Sequence, residues 1–226
     1  MEDGKVLRFK LPDDFLYISK VAQKRILDEW ILSDLLPELD CLPQDLKSFY
    51  GFDFGRSGDI SCIAILTEKQ NLHRQCPLVI ELRNIPFKEQ EFILNEITKR
   101  LPRFGGGAHD SRGNGQSLAE SIQREHGKSK IQAIMLTEKW YQDNFPKYKA
   151  ALEDKSLILV KDADILADHL AVKIDNGTPK IPSSYRYKGS DGFFRHGDAA
   201  IALLLSHFAS CTKVYSEFYF TSTRFR

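Results

Sequence analysis

The sequence predicts an α/β fold with a mixed β-sheet flanked by helices. Two patterns along the 226 residues indicate this fold class. Three apolar stretches between residues 48 and 82 are joined by short connections without helical periodicity, which is typical of an antiparallel meander. Beyond this meander, helical spacing alternates with short apolar stretches, which is typical of strands separated by helices. Hydrophobic residues make up 42% of the chain, enough for one sizeable core.

The first 46 residues are predicted to be an N-terminal extension or a linker remnant. Their helical pattern covers residues 21–36 and ends at Pro37. The main domain is therefore predicted to begin at residue 47. Its meander consists of strands over residues 48–54, 60–66 and 78–82.

The rest of the domain is predicted to contain helices, short strands and one hairpin. Apolar residues at every fourth position between residues 93 and 101 predict a helix. An Asn-Gly turn at residues 176–177 predicts the hairpin. Further helices are predicted over residues 116–126, 147–153 and 163–170, and strands over residues 131–136 and 157–160. An apolar helix beginning at Asp198 completes the domain 47–210, and residues 211–226 form a C-terminal tail.

Composition and charge argue against several classes of protein. The four cysteines form no C-x-x-C pair, which argues against a zinc or disulfide scaffold. The beginning of the chain is polar, and the apolar run at residues 199–205 is too short to span a bilayer. These features predict a cytoplasmic protein without a membrane partner. The net charge of +1 implies that any nucleic acid is bound by local basic patches.

Asp53 is the first candidate site residue. It lies in an apolar, aromatic strand, where a buried carboxylate is costly unless it is paired or bound to a cation. Strand alternation puts Gly51 and Gly55 on the same face as Asp53, and these small residues are expected to leave open space for a ligand. The alternative is an aspartate that caps a turn at the end of the strand.

Two further aspartates occupy positions that are common in α/β sites. Asp110 follows a glycine run at the end of a predicted short strand and precedes a glycine-rich loop, although an Asx-turn is an equal alternative. Asp198 begins the final helix, where a capping role worth about 1 kcal/mol is the alternative. Mg²⁺ and Mn²⁺ prefer oxygen ligands and keep several waters. The three carboxylates could thus converge on two divalent ions for phosphodiester cleavage.

Three motifs in this order resemble the nuclease motifs of phage large terminase subunits, most closely the Mu-like prophage type. They are FYGFDFG (49–55), HDSRGNG (109–115) and HGDAAIAL (196–203). The resemblance covers roughly residues 47–210. It implies an RNase H-like fold and an endonuclease that uses two Mg²⁺ or Mn²⁺ ions to cut double-stranded DNA. The expected setting is genome packaging in the cytoplasm of the bacterial host.

By motif, the resemblance implies that Asp53, Asp110 and Asp198 are catalytic metal ligands. Asp59 and His196 are secondary candidates for contact with the metals, with turn and loop roles as the alternatives. The predicted DNA-binding residues are Arg56, Arg112, Arg186, Lys188 and Arg195. Three of these, Arg186, Lys188 and Arg195, lie before Asp198 in segments where aromatic and basic residues alternate. Such a composition is suited to phosphate contacts. Ordinary packing in a solvated hairpin is the alternative there, and Glu81 is expected to be solvated.

The resemblance also implies partners. Large terminases carry a packaging ATPase, but this chain contains no G-x-x-x-x-G-K-[ST] motif. An ATPase domain absent from this chain is therefore expected to supply the motor. Double-stranded DNA, the portal and the small terminase subunit are the other expected partners.

Three other functions stay open at this point. The GFDFG segment also resembles the first phosphate loop of actin-like and sugar-kinase-like ATPases, although no second phosphate motif is evident. A Holliday-junction resolvase or a transposase-like nuclease would share the acidic cluster. A non-catalytic docking module of the packaging machine would keep the fold without the activity.

Overall fold

The computed structural model describes residues 4–55 and 60–212. Its strands are β1 (Lys5–Lys10), β2 (Lys47–Asp53), β3 (Ile60–Glu68), β4 (Arg74–Arg83), β5 (Gly106–Asp110), β6 (Ile131–Ile134), β7 (Leu157–Ile158), β8 (Lys173–Asp175), β9 (Thr178–Lys180), β10 (Tyr187–Lys188) and β11 (Phe194–Arg195). Its helices are α1 (Lys20–Trp30), α2 (Leu36–Asp40), α3 (Phe87–Arg100), α4 (Gly115–His126), α5 (Glu138–Glu153), α6 (Ala163–Leu170) and α7 (Asp198–Cys211). None of the helices in the described ranges is long and apolar enough to cross a membrane.

Strands β1 to β7 form one mixed sheet. The order is β1-β4-β3-β2-β5-β6, with β7 pairing with β4. Strands β2, β3 and β4 form the predicted antiparallel meander. Strand β5 then pairs parallel to β2, and β6 pairs parallel to β5. The predicted fold class is therefore confirmed.

The segment before residue 47 contributes to both the sheet and the core. Strand β1 pairs in parallel with residues 78–83 of β4. A π-helical turn (Ile31–Leu35) joins α1 to α2, and Leu27, Leu35 and Leu39 are buried in the core. The sequence pattern does not predict β1, because its six residues mix charged and apolar side chains without a regular alternation. The boundary at residue 46 stays a prediction, but the preceding segment is packed against the sheet.

Side chains on the two faces of the sheet enter two separate cores. Phe49 of β2 and Ala108 of β5 share one core with residues of α5, α6 and α7. Tyr50 and Phe52 face the other core, which contains residues of α1, α2, α3 and α4. Helices therefore cover both faces, and β2 and β5 are buried at the centre of three layers.

Helix α5 begins earlier than the sequence predicts. A short helix over residues 147–153 is expected after Pro146, since proline lacks the N–H of a helix interior. In the structure the helix begins at Glu138, where the Thr137 hydroxyl accepts a hydrogen bond from the N–H of Trp140 (3.2 Å). Pro146 lies inside the helix, and the added turns bring Tyr141 to the core. The 176–177 turn does join a hairpin, β8–β9.

Candidate metal centre

Asp53 and Asp110 lie at the ends of two neighbouring parallel strands. Asp53 is the last residue of β2 and Asp110 is the last residue of β5. Phe52 pairs with His109, so the two aspartates follow at the same edge of the sheet. Both aspartates are buried, with 8% and 5% of their surface exposed. Alternation directs both toward the face that α7 covers, because Ala108 lies in that core.

Asp198 reaches the same edge on a helix. Helix α7 packs against β2, β3 and β5, and Asp198 is its first residue. The close packing requires Gly51, because a Cβ there would lie 2.0 Å from the carbonyl oxygen of Ala202. The expectation that Gly51 leaves open space for a ligand is therefore wrong: the helix fills that space. The glycine instead allows the helix that carries Asp198 to approach the sheet.

Burial and neighbouring negative charge raise the pKa values of Asp53 and Asp198 in this cluster. Burial is the main reason that the pKa of Asp53 is raised well above its ordinary value, and the charges of Asp110 and Asp198 raise it further. Burial also raises the pKa of Asp198 to about 6, although the N–H of His196 donates to its Oδ2 (3.1 Å). The three carboxylates therefore interact and carry negative charge that the protein compensates only in part.

One arginine pairs with this cluster directly. The guanidinium of Arg112 holds both oxygens of Asp110: Nε lies 3.0 Å from each, and Nη2 lies 2.7 Å from Oδ2. The backbone N–H of Arg112 also donates to Oδ1 of Asp110 (3.0 Å). Burial raises the pKa of Tyr141. The charges of Arg112, Asp53 and Asp110 lie close enough to act on this pKa as well. No sequence motif singles out Tyr141.

The donor set suits a hard divalent cation. Carboxylate oxygens are the ligands that Mg²⁺ and Mn²⁺ prefer, and a few of them suffice because these ions keep several waters. Such an ion would neutralise charge that now raises the pKa of Asp53. Within residues 4–55 and 60–212, no group of three or more acidic, His or Cys side chains lies in an arrangement that could hold a metal ion. The contact between Arg112 and Asp110 involves both oxygens of one candidate ligand.

Arg195 does not lie on a DNA-accessible surface, contrary to its prediction as a DNA-binding residue. Its side chain is 0% exposed. Nη1 and Nη2 donate to the two oxygens of Glu81 (2.8 and 2.6 Å), and Nη2 also donates to Oδ2 of Asp168 (2.8 Å). Glu81 is 3% exposed, so the expectation that it is solvated is wrong. A buried guanidinium with two carboxylate partners cannot leave to bind phosphate without leaving charges uncompensated.

Asp168 connects Arg195 to the beginning of α7. Its Oδ2 also accepts a hydrogen bond from the N–H of Ala199 (3.1 Å), and its Oδ1 accepts one from the hydroxyl of Tyr187 (2.8 Å). Asp168 therefore caps the helix at the residue after Asp198. No local pattern in α6 indicates this role, because its partners lie 19 to 31 residues away.

The other predicted residues lie around this site or outside the described ranges. Nδ1 of His196 contacts the carbonyl oxygen of Tyr185 (2.7 Å), so that nitrogen is engaged within its own loop. Arg186 and Lys188 lie on the segment that leads to Asp198, and Lys188 is exposed there. Arg56 and Asp59 lie outside the described residues.

The fold is that of the nuclease domain of phage large terminases. The large terminase nuclease of thermophilic phage G20c matches with a TM-score of 0.56 over 74% of this chain and 83% of that chain, at 14% identity. The HK97 large terminase matches with a TM-score of 0.55 over 76% of this chain and 40% of that chain, at 10% identity. These likenesses show an RNase H-like fold. No family model matches the chain.

Sequence similarity places the chain more narrowly. The "Mu-like prophage FluMu protein gp28" of Haemophilus influenzae is 37% identical over 209 residues, which is 92% of this chain and 41% of that protein. The "Probable terminase, large subunit gp28" of Escherichia phage Mu is 37% identical over 208 residues, 92% of this chain and 38% of that protein. The chain belongs to the same family as these gp28 proteins and spans about two fifths of their length.

Proposed function

We propose that this chain is the nuclease part of a Mu-type large terminase subunit and that it cuts double-stranded DNA with Mg²⁺ or Mn²⁺ during genome packaging. The observation that carries the proposal is the convergence of Asp53, Asp110 and Asp198 at one edge of an RNase H-like sheet. Two of them end parallel strands and the third begins a helix. The arrangement brings together three oxygen donors from distant parts of the chain.

The relatives support a nuclease. One gp28 protein is named a probable large terminase subunit. The G20c nuclease has also been solved with bound magnesium, and that structure matches this chain with a TM-score of 0.56. The portal, the small terminase subunit and a separate ATPase domain are the partners that we propose for the assembled machine.

In this proposal Asp53, Asp110 and Asp198 hold two divalent ions at the edge of the sheet. When bound, such ions supply Lewis acidity for phosphodiester hydrolysis. Asp168 and Arg195 hold the beginning of α7, where Asp198 lies. Arg186 and Lys188, both exposed, would contact phosphates of the DNA backbone.

Cleavage of supercoiled plasmid by the purified chain tests the proposal. Wild-type protein should nick or linearise the plasmid with Mn²⁺ or Mg²⁺ and not with EDTA. Asp53→Asn and Asp198→Asn should each lose about 100-fold or more of the rate, because each removes a ligand charge. The matched control is Asp143→Asn, which changes a carboxylate that is 48% exposed on α5 and should leave the rate unchanged.

Other outcomes would identify the alternatives. Cleavage that strongly prefers four-way junctions over linear duplex would favour a junction resolvase. Inactivity of a folded wild-type protein with every metal would favour a docking module, and specific ATP binding would favour the actin-like alternative. Equal activity of wild type and both Asn variants would contradict the proposed site.

A further inference from the structure

We infer that Arg112 and a divalent ion compete for Asp110, and that the guanidinium released by the ion binds a phosphate of the DNA. The inference rests on the proposed function, since it assigns one residue a double role at the same site. In the absence of an ion, Arg112 would hold the charge of Asp110. After ion binding it would become a DNA contact that forms only when the metal centre is complete.

The contact between Arg112 and Asp110 occupies the oxygens that a metal ion would use. Arg112 donates from Nε and Nη2 to both oxygens of Asp110, at 2.7 to 3.0 Å. A planar guanidinium matches a carboxylate in this forked arrangement, and it therefore covers the oxygens that a metal ion would need. An ion that binds Oδ2 of Asp110 therefore displaces the hydrogen bonds that Arg112 donates to this oxygen.

The guanidinium of Arg112 lies where it can leave Asp110. The side chain of Arg112 is 47% exposed, and the residues that follow it, Gly113 and Asn114, are exposed as well. Arg195 offers the contrast within the same site: its side chain is 0% exposed and has two carboxylate partners. Releasing the half-exposed guanidinium of Arg112 into water costs less than releasing a buried one, and the arriving ion replaces its charge beside the buried carboxylate of Asp110.

Asp110 keeps its orientation after the guanidinium is released. Its Oδ1 accepts a hydrogen bond from the backbone N–H of Arg112, and this bond does not depend on the guanidinium. Local repulsion would then direct the guanidinium away from a bound cation. Backbone phosphate is the ligand that fits its fork there, because phosphate presents paired oxygens as a carboxylate does.

Calorimetric titration with Mn²⁺ alone tests the competition. Arg112→Ala should bind Mn²⁺ about fivefold more tightly than wild type, the factor expected when a competing contact worth about 1 kcal/mol is removed. Arg112→Lys keeps the charge without the fork and should fall between the two. Arg124→Ala, on the exposed surface of α4, is the control and should change the affinity by less than about twofold. Equal or weaker binding by Arg112→Ala would overturn the inference.

DNA binding measured by fluorescence anisotropy tests the second role. With Ca²⁺ present, Arg112→Ala should bind a labelled duplex about tenfold more weakly than wild type, because a charge-assisted hydrogen bond to phosphate is lost. With EDTA the two proteins should bind alike, because the guanidinium stays on Asp110. An equal loss in both conditions, or no loss in either, would overturn the inference.

The same titrations separate this inference from the proposed function. If wild type binds no Mn²⁺, or if Asp110→Asn binds it as well as wild type, the metal centre itself is wrong. If wild type binds Mn²⁺ and Asp110→Asn does not, the metal centre holds. A failure of Arg112→Ala to bind more tightly then overturns only the competition.

Discussion

At the scale of single residues, Asp198 is a group whose charge responds to pH near neutrality. Burial raises its pKa to about 6, so the folded protein holds a proton there that the unfolded chain releases at lower pH. The pKa of Asp53 is raised in the same direction. Protons and metal ions therefore compete for the same carboxylates. Metal affinity, measured by Mn²⁺ titration at several pH values, should rise as the pH increases through about 6.

Asp198→Asn should consequently stabilise the metal-free protein above this pH. A carboxyl with a raised folded pKa lowers stability as the pH rises from its ordinary value of 3.8 to about 6, and the penalty persists above. Removing the charge should raise the unfolding free energy by on the order of 1 kcal/mol at neutral pH, with a smaller gain in acid. Thermal unfolding in EDTA at several pH values measures this difference. A difference that does not vary with pH would contradict the assigned pKa.

At the scale of elements, the beginning of α7 is held by a buried ionic cluster. Arg195 lies on β11, Glu81 on β4 and Asp168 on α6, and Asp168 also accepts the N–H of Ala199. Arg8 of β1 extends the cluster by donating to Glu81 (3.0 Å). The position of Asp198 at the beginning of α7 thus depends on contacts among several elements of the fold.

Arg195→Leu should destabilise the protein strongly. It leaves Glu81 and Asp168 buried without their cation, and breaking one side of a buried ion pair costs about 3–5 kcal/mol. Urea unfolding monitored by circular dichroism measures the loss. Arg186→Ala removes an arginine whose contacts are with its own loop and should change stability by less than about 0.5 kcal/mol. If both variants were equally stable, the cluster would not support α7 as the contacts indicate.

At the scale of the whole molecule, the segment before residue 47 completes one face of the fold. Helices α1 and α2 cover the sheet on the side opposite α7, and Phe9 of β1 stacks on Trp30 with ring centroids 4.1 Å apart. Without this segment, β4 would lose its pairing with β1, and the apolar face of β2 and β3 would lose the part of its cover that α3 and α4 do not supply. An exposed strand edge and an exposed apolar face both favour aggregation.

A chain that begins at residue 47 tests this role and the predicted domain boundary together. It should be much less stable than the full chain and should bind a hydrophobic dye, because a large buried apolar surface becomes exposed. A chain that begins at Gly4 keeps every described element and is the matched control. Normal cooperative unfolding of the shorter chain would show that residues 1–46 are a dispensable extension.

Much of the fold follows from local patterns in the sequence. Apolar stretches of strand length predict the meander, and helical spacing predicts α3 and α7. Strand β1 is not predicted because its six residues mix charged and apolar side chains. The first half of α5 is not predicted because Pro146 suggests that a helix starts there. In both cases tertiary packing outweighs a weak local signal.

The residues of the candidate site also divide into those that the sequence predicts and those that only the folded structure reveals. Residue type singles out Asp53, because a carboxylate in an apolar strand is costly, and the motifs add Asp110 and Asp198. The pairing of Arg195 with Glu81 joins residues 114 positions apart, and only the packed fold brings them together. Solvent exposure distinguishes Arg195, which is buried, from Arg112, which can release its carboxylate. Exposure is a property of the assembled layers, and no local pattern encodes it.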